Sequence, residues 1–248
     1  MENVIVVENL TAAYGDNVIL RNVSFQVKRE KIFAIVGGSG CGKSTLLKYL
    51  IGLLRPAEGR VIVDGIDMAT ADDETINACR RKFGVLFQSG GLIGSMTLAE
   101  NIALPLKEAG RFPHPFFTHL IRAKLGMVNL TGYDNHYPAE LSGGMKKRAG
   151  LARALALDPA ILFFDEPTAG LDPVTAREIY DLISIINEGM KTTMVIVTHD
   201  LELIFRLAHE VILLHSEEKG IIARGTPKEL ESFAQDGRVQ AFFQRKLP

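Results

Sequence analysis

The sequence predicts an α/β fold: a buried parallel sheet, a small antiparallel sheet beside it, and a helical subdomain inserted over roughly residues 90–157. Three observations predict it. An apolar run at 32–36 leads into a glycine-rich loop and then Leu46-Leu47-Lys48-Tyr49-Leu50, which reads as strand, loop, helix. Three further short apolar runs, at 85–88, 161–165 and 193–198, have the unbroken character of strands buried on both faces. By contrast, Val23-Ser24-Phe25-Gln26-Val27 alternates strictly, as a strand with one wet face does.

The elements follow in chain order. Residues 4–7, 23–27 and 59–63 are the expected strands of the antiparallel sheet, and 32–36 opens the parallel one. Residues 90–157 are rich in helical patterns, broken by the Pro- and aromatic-rich stretch 111–117. A helix is expected over 174–188. Residues 211–214 and 220–223 pair as a hairpin, and a helix starts near Pro227. The whole chain is read as one domain, with a C-terminal extension at about 231–248 of unassigned role. No internal repeat or low-complexity linker interrupts it.

Composition bounds the function. The 248 residues are ample for a core, and 47% hydrophobic with 23% charged residues is typical of a globular protein. A net charge of −1 argues against a nucleic-acid partner. Two cysteines, Cys41 and Cys79, suit a reducing compartment, since a disulfide at Cys41 would obstruct the glycine loop. No secretory signal and no eighteen-residue apolar stretch is evident, so work at a membrane would require docking onto another subunit.

The glycine loop comprises Gly37, Gly38, Ser39, Gly40, Cys41, Gly42, Lys43, Ser44 and Thr45, and fits G-x-x-x-x-G-K-[ST]. Glycines let the backbone curl around an anion so that several N–H groups converge on phosphate oxygens, and the following helix start favours the same charge. Lys43 can reach the β- and γ-phosphates of a nucleoside triphosphate, and the Ser44 hydroxyl can hold Mg²⁺. The run 161–164 ends in Asp165 and Glu166, at the strand end where open parallel sheets bind ligands. Asp165 is placed to hold Mg²⁺ through its water shell. Glu166, one residue on, is expected by strand alternation to point the other way and to polarise an attacking water. Leu141-Ser142-Gly143-Gly144-Met145 precedes a helical run; Ser142 is a good N-cap, and the two glycines leave N–H groups bare at a second anion site.

The phosphate loop, Gln88, Leu-Ser-Gly-Gly-Met, the Asp165–Glu166 strand, Ala169-Gly170-Leu171-Asp172 and His199 occur in the order that marks the ATP-binding cassette (ABC) ATPases. The resemblance covers about residues 4–230. It implies a P-loop NTPase fold with a RecA-like core, ATP and Mg²⁺ as cofactors, and ATP hydrolysis coupled to transport. It further implies that Tyr14 stacks on adenine, that Gln88 touches Mg²⁺ and senses a membrane partner, and that His199 contacts the γ-phosphate. In such a family two copies pack head-to-tail, so that Ser142, Gly143 and Gly144 of one close on nucleotide held by Lys43 and Ser44 of the other; Asp172 is implied to bind ATP as well.

Three readings of the cassette compete. A soluble cassette protein would usually carry two cassettes or a long coiled coil. A non-hydrolysing regulatory subunit would lack a Lys, Glu or His that is present here. A transporter subunit needs neither. Within that class, residues 86–106 resemble the Mla/MCE lipid-transport ATPases, with Gly91 and Ile93 departing from their usual Ala and Phe, and Met145 fits them too. An amino-acid or other small-solute importer remains the alternative. The lipid resemblance implies an MlaE-like permease, an MCE-domain lipid-binding protein and a small STAS-domain subunit as partners, at the cytoplasmic face of a bacterial inner membrane. Leu92, Ile93, Met96 and Leu98 are expected to cluster in a groove, formed by residues 88–106, that receives a cytoplasmic helix of the permease.

Overall fold

β3 (Ile32–Gly37) is buried at every position, because helices cover one face of its sheet and a second sheet covers the other. The computed structural model describes residues 2–110, 116–232 and 236–244. The main sheet runs β10-β9-β3-β8-β7-β6, formed by β6 (Phe83–Leu86), β7 (Ile161–Asp165), β8 (Thr193–Val197), β9 (Glu210–His215) and β10 (Gly220–Gly225) around β3. Its neighbours are parallel except β10, which is antiparallel to β9. The smaller sheet, β2-β1-β4-β5, is antiparallel: β1 (Asn3–Tyr14), β2 (Asn17–Lys28), β4 (Glu58–Val63) and β5 (Ile66–Asp67).

Strand alternation divides the core. Phe33, Ile35, Phe163, Val195 and Val197 face the antiparallel sheet, α1 (Lys43–Leu50) and α2 (Asp73–Arg80). Phe25 of β2 stacks on Phe33 with ring centroids 5.3 Å apart, which ties the two sheets together. On the other face Leu162, Phe164, Met194 and Ile196 pack against α3 (Leu98–Ala109), α4 (Phe117–Met127), α5 (Gly143–Ala154) and α6 (Pro173–Met190). A third cluster joins Ala34, Val36, Val211 and Leu213 to α7 (Leu201–Leu207), α8 (Pro227–Ser232) and α9 (Gly237–Phe243). Within the C-terminal stretch, Val239 and Phe243 are buried in this cluster.

Several expectations are corrected. β1 and β2 are each twelve residues long, far beyond 4–7 and 23–27; bulges let the polar residues between them continue the ladder. β6 ends at Leu86, so Gln88 lies in the turn after it. β9 is hydrogen-bonded to β3 as well as to β10, a fifth parallel strand. α2 and α7 are additional, each started by an aspartate cap: Asp72 accepts from Thr75 N, and Asp200 from Leu203 N. Of the break at 111–117, residues 111–115 lie outside the described residues.

Candidate active site

The phosphate loop bridges β3 and α1. Gly42 caps α1 at φ 100°, a left-handed conformation that suits glycine; a Cβ there would also stand 2.8 Å from Leu20 Cδ2. A Cβ at Gly37 would meet the Leu214 carbonyl oxygen at 2.5 Å. Lys43 is buried, and its Nζ donates to the Gly37 and Gly38 carbonyls at 2.9 Å each, so the ammonium lies within the curl of the loop. Gly38, Ser39 and Gly40 are exposed on the rim, Cys41 is buried, and Thr45 is half-buried. Burial pushes the Cys41 thiol up.

Asp165 ends β7, where Ser44 Oγ donates to its Oδ1 at 3.1 Å. Two hard oxygen donors therefore face one another beside the loop, a set that suits a cation which keeps most of its waters. Burial pushes the Asp165 carboxyl up, against the Ser44 hydrogen bond; the Glu166 charge adds to the rise while Lys43 and Lys147 oppose it.

Glu166 does not continue the alternation of β7. Its backbone turns left-handed at φ 48°, with its N–H on the Val197 carbonyl at 2.8 Å. Its side chain reaches His199: Oε1 is 2.9 Å from Nδ1. The carboxylate side chain is 12% exposed and the imidazole 63%, so the pair has a buried and an open end. Tyr14, at the end of β1, is exposed; Lys48 of α1 lies over its ring at 5.9 Å from the centroid. Gln88 is exposed.

The signature residues make their contacts elsewhere. Ser142 caps α5, accepting from Met145 N at 3.3 Å, and Gly143 and Gly144 are its first two helical residues. A Cβ on Gly144 would stand 2.3 Å from Thr175 Cγ2 of α6. Asp172 caps α6, accepting from Val174 N and Thr175 N at 3.0 Å each and from the Thr175 hydroxyl. These bonds hold the Asp172 carboxyl below the usual carboxylate range, the Thr175 hydroxyl first among them. The loop 37–45, Asp165, Glu166 and His199 thus form one group; residues 142–144 and 172 form another, against the start of α6.

Two residues that the sequence reading passed over organise this region. Asp200 joins three elements: its Oδ2 accepts from Thr168 Oγ1 at 2.8 Å and from Tyr180 OH at 2.5 Å, while its N–H bonds Thr198 Oγ1. Burial, then the Asp200 carboxylate, pushes the Tyr180 hydroxyl up. Asn101, fully buried, accepts from Ile93 N and donates to the carbonyls of Ile93, Met96 and Thr97, shaping the loop 93–97.

That loop corrects the expected groove. Leu98 is fully buried and Leu92 packs against the same core, while Ile93 remains exposed. An open groove of about 640 Å³ lies instead between α2 and α3, over β6; its walls include Arg81, Phe87, Leu104, Pro105, Glu108 and Arg153.

The model of the ABC transporter family matches residues 20–169, more than half of the chain. The chain belongs to this family. It is an ATP-binding subunit of an ABC transporter, an ATPase whose hydrolysis is coupled to transport. The cassette is 40% identical over 241 residues to the intermembrane phospholipid transport ATP-binding protein MlaF of Haemophilus influenzae, covering 97% of this chain and 90% of that protein. It is 38% identical over 224 residues to the methionine import ATP-binding protein MetN of Brucella abortus, covering 90% of this chain and 60% of MetN. A probable ribonucleotide transport ATP-binding protein, mkl of Mycobacterium bovis, is 43% identical over 79% of this chain, which spans about half (55%) of that protein. Among solved structures, a dimeric ATP-binding cassette in a post-hydrolysis state with ADP and Pi superposes with TM-score 0.82 at 33% identity, over 90% of this chain and 98% of that one. A cassette of the cbiONQ transporter of Clostridium perfringens gives 0.84 at 28% identity, over 99% and 96%.

Proposed function

We propose that this ATPase powers phospholipid transport between the inner membrane and the outer envelope of a bacterium, within an MCE/Mla-type complex. The observation that carries the reading is the likeness to MlaF, which runs through 97% of the chain. The partners are a second copy of the chain, an MlaE-like permease, an MCE-domain lipid-binding protein and a small STAS-domain subunit. Membrane attachment runs through the permease at its cytoplasmic face. No helix among the described residues is long and apolar enough to cross a membrane. A cytoplasmic helix of the permease fits the groove between α2 and α3. The likeness to MetN favours one second reading, an amino-acid importer.

In the proposed site, Lys43 and the loop from Gly37 to Thr45 hold the phosphates, and Tyr14 stacks on the adenine. Ser44, Asp165 and Gln88 hold Mg²⁺, which when bound neutralises phosphate charge. Glu166 orients and deprotonates the attacking water, with His199 placed toward the γ-phosphate. Ser142, Gly143 and Gly144 act on nucleotide held by the partner copy, and Asp172 contributes to nucleotide binding. The dimeric cassette with ADP and Pi supports this arrangement.

Copurification from membranes followed by lipid mass spectrometry tests the assignment. The expected result is recovery with a permease, an MCE-domain protein and phospholipid. Recovery with a solute-binding protein, and turnover stimulated by an amino acid, would favour the importer.

A further inference from the structure

We propose that Lys147 is a positioning residue for Glu166, fixing from α5 the left-handed turn on which that carboxylate stands. The inference rests on Glu166 being the group that handles the attacking water.

Lys147 is the fifth residue of α5, five after its Ser142 cap, and is only 5% exposed. Its Nζ donates to the Glu166 backbone carbonyl at 2.9 Å. That carbonyl also accepts from Ala169 N at 3.2 Å, while the Glu166 N–H is held by Val197. A non-glycine residue at positive φ persists only where its surroundings over-determine it. Here β8 holds one side of the peptide, and Lys147 together with the following turn holds the other. A shift of this backbone would swing the carboxylate away from His199.

The choice of side chain points to the site rather than to packing. Burying an ammonium is costly, and an apolar chain of the same length fills such a space more cheaply. Lys147 instead places its charge where both the Glu166 and the Asp165 carboxylates feel it. It thereby links the helix that begins at the signature residues to the catalytic turn of the same chain.

The test compares Lys147→Met, Lys147→Arg and Glu166→Gln in the full chain, reading kcat and KM for Mg-ATP, binding of a fluorescent ATP analogue, and the melting temperature. Methionine fills the same space without donor or charge, and the Glu166 carbonyl keeps its Ala169 partner. The expected result for Lys147→Met is a kcat lowered about tenfold to a hundredfold with KM within about twofold of wild type. Analogue binding and melting temperature should hold, and Lys147→Arg should recover most of the rate. Wild-type kcat in Lys147→Met beside an inactive Glu166→Gln would overturn the positioning role. So would a rate loss matched by a lowered melting temperature, or an arginine variant no better than methionine. Near wild-type turnover by Glu166→Gln would instead remove the reading of Glu166 on which the inference stands.

Discussion

In the proposed site Glu166 handles the attacking water and Lys43 the phosphates, and single substitutions separate the two roles. In Glu166→Gln the amide keeps the shape that faces His199 but cannot take water's proton. Turnover should fall by about two to four orders of magnitude while ATP binding persists, measured by phosphate release and by nucleotide binding. Lys43→Ala removes a charge-assisted contact to phosphate, so affinity and activity should fall together, affinity by about tenfold to a hundredfold. Calorimetric titration with ATP checks this, and tight binding by that variant would contradict the role. Both residues are legible in the sequence as identities, because each sits in a short local pattern, Lys43 in the glycine loop and Glu166 directly after the apolar strand. Lys147, Asn101 and Asp200 are not. A lysine within Lys146-Lys147-Arg148 reads as a solvated helix face, and only the packing of α5 against the sheet shows that it is buried. Asn101 looks like an ordinary residue of an apolar helix until the loop 93–97 folds back over it. Glu166 was legible in identity but not in direction, since strand alternation stops where φ turns positive.

Elements that bury both faces were the easiest to read, and those that depend on caps or bulges the hardest. β3, β7 and β8 announce themselves as apolar runs. β1 and β2 hide their length behind polar residues at bulges, and α2 depends on Asp72 as a cap in a run of acidic residues. The contact between α5 and α6 makes a prediction at this scale. Thr175 is locked by its hydroxyl bond to Asp172, so it cannot rotate its methyl away from a Cβ on Gly144. Gly144→Ala should therefore destabilise the chain by about 1–3 kcal/mol, with part regained by Thr175→Ser, as read by chemical denaturation. The same collision means that Gly144→Asp would disturb its own subunit as well as any partner's phosphate. In the loop 93–97, Asn101→Ala strips the Ile93 N–H and several carbonyls of their partner. It should cost about 2 kcal/mol or more and raise hydrogen exchange across those residues. Unchanged protection there would mean that the loop is held by other contacts.

For the whole molecule, the phosphate loop 37–45 and residues 142–144 make separate contacts within one chain, as the proposed site shared between two copies requires. The groove between α2 and α3 is lined by other residues than that site, so on the proposed docking membrane coupling and hydrolysis can be damaged separately. Leu104→Asp and Arg81→Glu should leave turnover of the isolated protein intact and weaken its recruitment to membranes that carry the permease. Wild-type recruitment of both variants would place the docking face elsewhere. In the proposed cycle ATP joins two copies through the phosphate loop of one and the helix that begins at Ser142 of the other, and hydrolysis parts them. The most direct measurement is the solution mass of the Glu166→Gln protein by light scattering, with and without Mg-ATP. The expected mass is that of one chain without nucleotide and of two with it, the pair reverting to single chains when Ser142→Arg is added although ATP still binds. A protein that binds ATP and remains a single chain, or a pair indifferent to both nucleotide and Ser142, would contradict it.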